Sequence, residues 1–530
     1  MASPNPTSPK GRTALVLGGG LAGALAAYEL APYVDSVTVV DRGHRHGPGA
    51  GPAPDEPALM LHAAGARALE RLHPGILDEL VAAGAHRLGM TTDMAVLTLR
   101  GWLAHGCEGG FVITCSRDLA RRVVRGRTLG RDNITVLENT EAVSLTGDAY
   151  VLTGAVVRDR ATGRMRRLDA QIVVDATGRG KGVTRRISEL GLPPVPVDSL
   201  DGGIAYATRT FRLAPHIAAG RPAVHIQPDP SNDSRGGTLL PVEGDRWIAT
   251  LVGMRGTEPP LDEAGFMKYA ARLRDPALVE LLAGAEPLGP VHGRQSLVNR
   301  RVHLKWLPRV PRGLVLLGEA ETCFNPVYGY GASTTAMATL ALRRGLARYG
   351  TGDKLTPRVR RDIAKATMGA WGTSSPGERR HPGTVATMRP GRAALAVMRV
   401  LGRYSDRVLR AGTSRPAATR ALVDIITLSR TPAALLAPSV VLAALRGPDE
   451  GALGTTPPPA AAGRAVPAPA SRPRGLDGDP LDRGGLDGGG LRAGLPEASG
   501  VPVAPVAPVA PVVPVVPGVP GAEERARQAH

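Results

Sequence analysis

The sequence has 530 residues, a formal net charge of +18, 43% apolar and 3% aromatic residues, which predicts two or three packed domains rather than one small module. Three scattered cysteines, Cys107, Cys115 and Cys323, exclude a disulfide scaffold, show no paired metal spacing and make a reducing cytoplasmic setting the expectation. Only six of the 65 basic residues are lysine. With alanine, glycine and proline also high, the charge follows a GC-rich composition, and no nucleic acid is expected.

Residues 1–11 read as a polar, proline-rich leader with nothing to bury. The run from Lys10 to Ala27 has the charge-then-apolar order of a signal peptide, but Gly18, Gly19 and Gly20 would interrupt its helix. No apolar run reaches bilayer-spanning length. From Thr13 to about Gly350, strand-like runs alternate with helical patterns, as in an α/β domain. The first unit is TALVLGGGLAGALAAYELAPYVDSVTVVDR. A buried strand ends at Leu17; Gly18, Gly20 and Gly23 follow in G-x-G-x-x-G spacing, then a helix, then a strand ending at Asp41. Gly18 makes the tight turn, Gly20 lets a pyrophosphate approach, and Gly23 permits close packing of helix on strand. Free amides at the helix start receive the phosphate charge, and Asp41 can accept from ribose hydroxyls.

Two later segments choose between a flavin and a nicotinamide dinucleotide. In QIVVDATGRGK a buried strand ends at Asp175 and a small-residue turn reaches Gly178. In GLVLLGEAETCFNPVYGYGAS a strand ends at Gly318 and Glu319, a loop passes Pro326, and Gly329 and Gly331 open a long helix. Such a carboxylate can hold ribityl hydroxyls, and the helix N-terminus can stabilise negative charge on a flavin pyrimidine edge. Between these segments lie four β-rich runs at 202–253. In the first, Ile204, Tyr206, Thr208 and Thr210 alternate with Ala205, Ala207, Arg209 and Phe211, as a half-buried strand requires. Residues 356–447 read as a packed helical domain, with no membrane contact expected. In the tail from Pro448, 16 prolines and 14 glycines among 83 residues break regular structure, so it is assigned no chemistry.

The expected fold is thus α/β. A Rossmann-like dinucleotide domain occupies 12–201 and 291–355, an inserted antiparallel β-sheet substrate domain 202–290, a helical region 356–447, and the tail 448–530.

In these blocks, taken with HPG at 73–75, AGAHRLG at 83–89, CSRDL at 115–119, RWIATLVGMRG at 246–256 and VNRR at 298–301, the chain resembles the FAD-dependent monooxygenases of the aromatic-hydroxylase and squalene-epoxidase group. Within that group it looks most like the epoxidases that act on linear polyene polyketides in polyether ionophore biosynthesis. The resemblance runs from about Arg12 to Gly447. It implies FAD as cofactor, Arg42 beside Asp41 and Arg117 at the flavin diphosphate or ribityl chain, and the 202–253 sheet as roof of the substrate pocket. It also implies NAD(P)H as electron source, directly or through a separate flavin reductase, and epoxidation through a flavin C4a-hydroperoxide. The chain departs from the family pattern at 47–62, where Ala53, Pro54, Glu56 and Pro57 replace Pro, Gln, Arg and His, and at Gly318-Glu319, which replaces Gly-Asp.

That chemistry needs a dry pocket rather than a protein nucleophile, and no catalytic side chain is assigned. Tyr206, Arg209 and Trp247 are the candidates for positioning substrate. There is no H-E-x-x-H and no G-x-S-x-G, so neither a metal site nor a serine hydrolase is expected. The substrate is a polyene polyketide, free or on an acyl carrier protein that the basic body would attract. Hydroxylation of an aromatic or polyprenyl ring, and non-catalytic binding of a polyketide intermediate by a degenerate flavin site, are the rival readings.

Overall fold

The computed structural model describes residues 11–43, 56–180, 182–215, 222–388 and 391–449. The leader up to Lys10, the altered segment up to Asp55 and the tail from Glu450 lie outside the described residues.

Five short strands form a parallel sheet in the order Leu314–Leu316, Ile172–Asp175, Thr13–Leu17, Ser36–Val40, Ile134–Leu137. The central strands Thr13–Leu17 and Ile172–Asp175 and the edge strand Leu314–Leu316 are largely buried apolar runs, the pattern of strands covered on both faces, whereas Ser36–Val40 and the edge strand Ile134–Leu137 are interrupted by Ser36, Thr38 and Thr135. Helix Leu21–Leu30 connects Thr13–Leu17 to Ser36–Val40. It is apolar nearly all round because the sheet lies on one side and the long helix Tyr330–Tyr349 on the other. A three-stranded antiparallel meander, Thr140–Gly147, Leu152–Asp159 and Met165–Asp169, packs beside this sheet.

The second large sheet has ten strands, larger than the segment 202–290 expected to form it. Its longest strand begins at Val197 and runs to Arg212. It pairs with His292–Val302 on one side and Arg246–Gly253 on the other. Farther out, Ala223–Ile226 pairs in parallel with Met94–Thr98. Strands on both sides of the inserted segment therefore complete the sheet. These pairings are non-local, which a reading of neighbouring residues does not reveal. The long strand survives a change of environment through a register shift between Leu200 and Ile204, where Gly203 takes a φ of +62° that a side chain would resist.

The faces of this sheet follow from register. Tyr206, Thr208 and Thr210 stand opposite Val252, Thr250 and Ile248, whereas Ala207, Arg209 and Phe211 stand opposite Leu251, Ala249 and Trp247. Side chains alternate along each strand, so each set shares one face. The second face is closed by the helices Glu263–Ala270 and Ala277–Leu282: Gly237, which pairs with Leu251, leaves room for Leu273 and Leu278. Phe266 is fully buried there, 6.3 Å from the Phe211 ring.

The C-terminal region is helical, as expected, with helices Leu355–Arg379, Arg392–Ala411, Pro416–Ile426 and Pro438–Arg446. No helix among the described residues is long and apolar enough to cross a membrane.

Phe266→Ala removes a fully buried aromatic side chain between sheet and helices. It is expected to lower unfolding free energy by about 3–5 kcal/mol in a denaturant titration; a loss under about 1 kcal/mol would show that this layer is loosely packed.

Candidate functional site

A groove of about 780 Å³ runs along the carboxyl ends of the parallel strands, where open α/β sheets hold ligands. Its floor is two turns pressed together. Gly18 has a φ of +109°, and a Cβ there would fall 2.3 Å from the Ala176 carbonyl oxygen. Gly23 is equally constrained, since its Cβ would lie 1.7 Å from the Gly18 carbonyl oxygen. Gly20 differs: nothing lies within 4 Å of its Cβ position, so the space above it is open to a ligand. Gly20 caps helix Leu21–Leu30 without a side-chain hydrogen bond, and the first turn has no acidic residue. The first amides of that helix are left to meet an anion.

Of the residues singled out by sequence, Gly18, Gly20, Asp41, Arg42, Arg117, Gly178, Glu319, Pro326 and Tyr206 line this groove. The groove wall carries seven arginines against four acids, an excess that suits a diphosphate.

Four predicted residues sit beside the groove rather than in it. Asp175 is fully buried below the turn. Its Oδ2 accepts from Arg186 at 2.6 Å and its Oδ1 from the Thr177 hydroxyl at 2.7 Å. Asp175 therefore holds the turn and does not face a ligand. Gly318 has a φ of +64°, with Ala22 Cβ 2.8 Å from its own Cβ position. Gly329, at φ +68°, passes close to Met60 and His62. Gly331 lies in the first turn of Tyr330–Tyr349, its Cβ position 4.0 Å from Glu319 Oε1. These glycines bring a helix N-terminus to the end of the groove where Glu319 stands.

Three arginines that the sequence reading passed over organise the acids. Arg125 donates to Asp41 Oδ2 and to the Gly19 carbonyl, both at 2.7 Å, locking the acid against the glycine turn. Arg179 donates to Glu319 Oε1 at 3.0 Å and to the Phe324 carbonyl at 2.6 Å, while its Nη1 is buried without a hydrogen-bond partner. Arg186 holds Asp175. A signal for two of them was present. Arg125 follows Arg117 by eight residues, about two helical turns, and Arg179 directly follows Gly178.

A second cavity, about 260 Å³, adjoins the groove, with Glu56 and Arg117 lining both. Its remaining wall mixes Val242, Ile248, Leu288 and Pro290 with the polar Ser116, Asp118, Thr210, Arg246 and His292. Thr210 and Ile248 lie on the sheet face that also carries Tyr206. Arg209 and Trp247 do not border either cavity. They occupy the opposite, helix-covered face, where Arg209 pairs with Glu263 at 2.8 Å and donates to the Gly289 carbonyl, and Trp247 joins the core. Alternation is visible in the sequence; which parity faces the cavity is not.

The loop Phe324–Gly331 is tied from behind. Asn325 donates its N–H to Asn299 Oδ1 and caps its own turn through Val327 N–H. Asn299 donates to Glu378 Oε2, and the Gly202 N–H to Glu378 Oε1. Glu378 is fully buried. Burial pushes its carboxyl up to about 7, against the hydrogen bonds from Gly202 and Asn299, which favour the charged form, with Asp201 adding to the rise and Arg379 opposing it. Buried His62 is pushed down to about 3, and buried Cys115 and Cys323 up to about 12, in each case chiefly by desolvation. The imidazole is therefore neutral and the thiols are unreactive. No group of three metal-ligating side chains occurs among the described residues.

Residues 12–263 match the model of the FAD binding domain family, and most of the groove's lining falls within them, with Arg294, Leu297, Glu319 and Pro326 beyond. Over 373 residues the chain is 29% identical to Protein Rv3254 of Mycobacterium tuberculosis, covering 68% of this chain and 78% of that protein. It is similar in fold to a flavoprotein/dehydrogenase from Cytophaga hutchinsonii, with a TM-score of 0.57 at 13% identity over 79% of this chain and 93% of that one. The Diels-Alderase PyrE3 of pyrroindomycin biosynthesis is likewise similar, with a TM-score of 0.52 at 17% identity over 79% and 82%.

Gly18→Ala is expected to abolish co-purification of flavin, read from visible absorbance, while the chain still folds by circular dichroism; full retention of flavin would contradict the assignment of the floor. Glu378→Gln tests the buried carboxyl. The folded chain holds that proton more tightly than the unfolded one, so its contribution is full below about 4.5 and is lost as pH rises toward 7. Wild type is expected to lose on the order of 3 kcal/mol relative to Glu378→Gln across that interval; parallel stability curves would show that Glu378 titrates normally.

Proposed function

We propose that the FAD binding domain over residues 12–263 serves a monooxygenase that epoxidises alkenes of a linear polyene polyketide. The observation that carries this reading is the pairing of a cationic groove at the glycine turn with an adjoining cavity whose apolar lining residues, Val242, Ile248, Leu288 and Pro290, are all aliphatic and stand among the polar Ser116, Asp118, Thr210, Arg246 and His292.

The residues fit the cofactor. The open space over Gly20, the uncapped amides of Leu21–Leu30 and the arginine-rich wall suit its diphosphate, and Glu319 with Arg179 lies where ribityl hydroxyls would need partners. Bound FAD, reduced by NAD(P)H directly or through a reductase, would supply activation of O₂ and transfer of one oxygen atom. The protein's part is to bind, orient and keep dry. Arg179 neutralises Glu319 and braces the Phe324 carbonyl. The Asn299–Asn325 hydrogen bond fixes the loop leading to Tyr330–Tyr349, whose N-terminal amides favour negative charge nearby. Val242, Ile248, Leu288 and Pro290 exclude water and accept an aliphatic chain, and Tyr206 stands at the groove under the sheet.

An aromatic hydroxylase could be built on the same groove, but His292 is the single aromatic ring among the residues lining the cavity, which gives an aromatic substrate little to stack on. An acyl carrier protein delivering the substrate would meet a net positive chain.

Incubation of the FAD-loaded protein with a linear trienoic acid, reductant and ¹⁸O₂ is expected to yield a product carrying one labelled oxygen per alkene oxidised, by mass spectrometry. Labelled products from aromatic acids alone would favour hydroxylation. Flavin retained and reduced without any label in either substrate would overturn the monooxygenase reading.

A further inference from the structure

The helix Arg392–Ala411 presents an apolar stripe that nothing among the described residues covers. Val397, Leu401, Tyr404 and Val408 follow one another at intervals of four, three and four residues and so share one face. At the C-terminal end that face is part of the core: Val408 is fully buried and Tyr404 packs against the same cluster. Toward the N-terminus the cover stops. Leu401 is 53% exposed, Val400 64% and Val397 57%, with Met398 exposed at the flank. The opposite side of the helix carries Arg392, Arg399, Arg403, Arg407 and Arg410, all exposed. Its one acid, Asp406, is taken by Arg100 at 2.8 Å.

The adjoining segment continues the pattern. Tyr404 donates its hydroxyl to the Leu435 carbonyl, and helix Pro438–Arg446 packs against Arg392–Ala411. Leu436, Leu442 and Leu445 are exposed there, with Arg446 at the helix end and no acid from Pro432 to Arg446.

We propose that the N-terminal half of Arg392–Ala411, together with the leucines of 436–445, docks on an anionic lipid surface. The chemistry of both faces points to that occupant. Aliphatic side chains over successive turns can enter the acyl boundary while arginines on the far side reach up to acidic headgroups, the arrangement of a helix lying in the plane of an interface. A second copy of the chain fits less well, because two such faces brought together would place arginine rims against each other with no free acid on the helix to answer them. The sequence reading treated these residues as packed; the apolar spacing is the same whether the stripe is covered or bare, and only the structure shows it bare. The inference does not depend on the oxygen chemistry proposed above.

Flotation of the full-length, FAD-loaded protein with phosphatidylglycerol vesicles and with phosphatidylcholine vesicles tests it. Wild type is expected to float with phosphatidylglycerol only, and less so at high salt. The triple variant Val397→Asn, Val400→Asn, Leu401→Asn is expected to weaken flotation by at least about tenfold while keeping its flavin absorbance and elution volume. The variant Arg399→Gln, Arg403→Gln, Arg407→Gln should weaken it and flatten the salt dependence. Wild type remaining unbound with phosphatidylglycerol, equal binding to both lipids, or a triple variant that floats like wild type would overturn the proposal. So would a wild-type dimer that the apolar triple variant splits, since the face would then belong to a second copy.

Discussion

The contact between Gly18 and the Ala176 carbonyl sets the groove. Two parallel strands, Thr13–Leu17 and Ile172–Asp175, end side by side, and the turns that leave them can lie together only if one carries no side chain. The rest of the site is arranged around that closeness. The first helix starts with its amides bare because Gly20 gives it no cap, and Gly23 lets the helix settle onto the Gly18 turn. Asp41 is drawn against Gly19 by Arg125, and Asp175 is sunk below the second turn by Arg186. The acids and arginines of this region serve first to hold backbone turns in place, which leaves the remaining arginine excess of the wall for an anion.

A second set of bonds joins the groove to distant parts of the chain. The loop bearing Asn325 and Pro326 is fixed through Asn299 to Glu378, so the ten-stranded sheet and the C-terminal helix Leu355–Arg379 both support the groove's far end. A buried carboxyl pushed toward neutrality makes that support depend on pH. The sheet divides its labour by parity: one face is packed with Phe211, Trp247 and two covering helices, and the other looks toward the cavity lined by Thr210 and Ile248.

Much of this was legible in the sequence, for identifiable reasons. Glycine spacing can be read because a side chain at Gly18 or Gly23 would collide with neighbouring backbone, while Gly20 leaves the space above the turn open. The alternation from Ile204 to Phe211 gave the strand but not the orientation of its faces, so Arg209 and Trp247 were named where Thr210 and Ile248 border the cavity. Asp175 was read as a ligand contact because an acid at a strand end looks the same whether its side chain rises or sinks. Arg125, Arg179 and Arg186 passed unnoticed among 59 arginines. The strands Met94–Thr98 and His292–Val302 were missed as members of the ten-stranded sheet because their partners lie far away along the chain.

A crystal structure with FAD and a linear polyene acid tests the central claim most directly. The account predicts diphosphate density at the N-terminus of Leu21–Leu30, the flavin ring toward Gly329–Gly331, and the polyene against Val242 and Ile248. Polyene density on the Trp247 face, or a diphosphate away from Gly20, would contradict it.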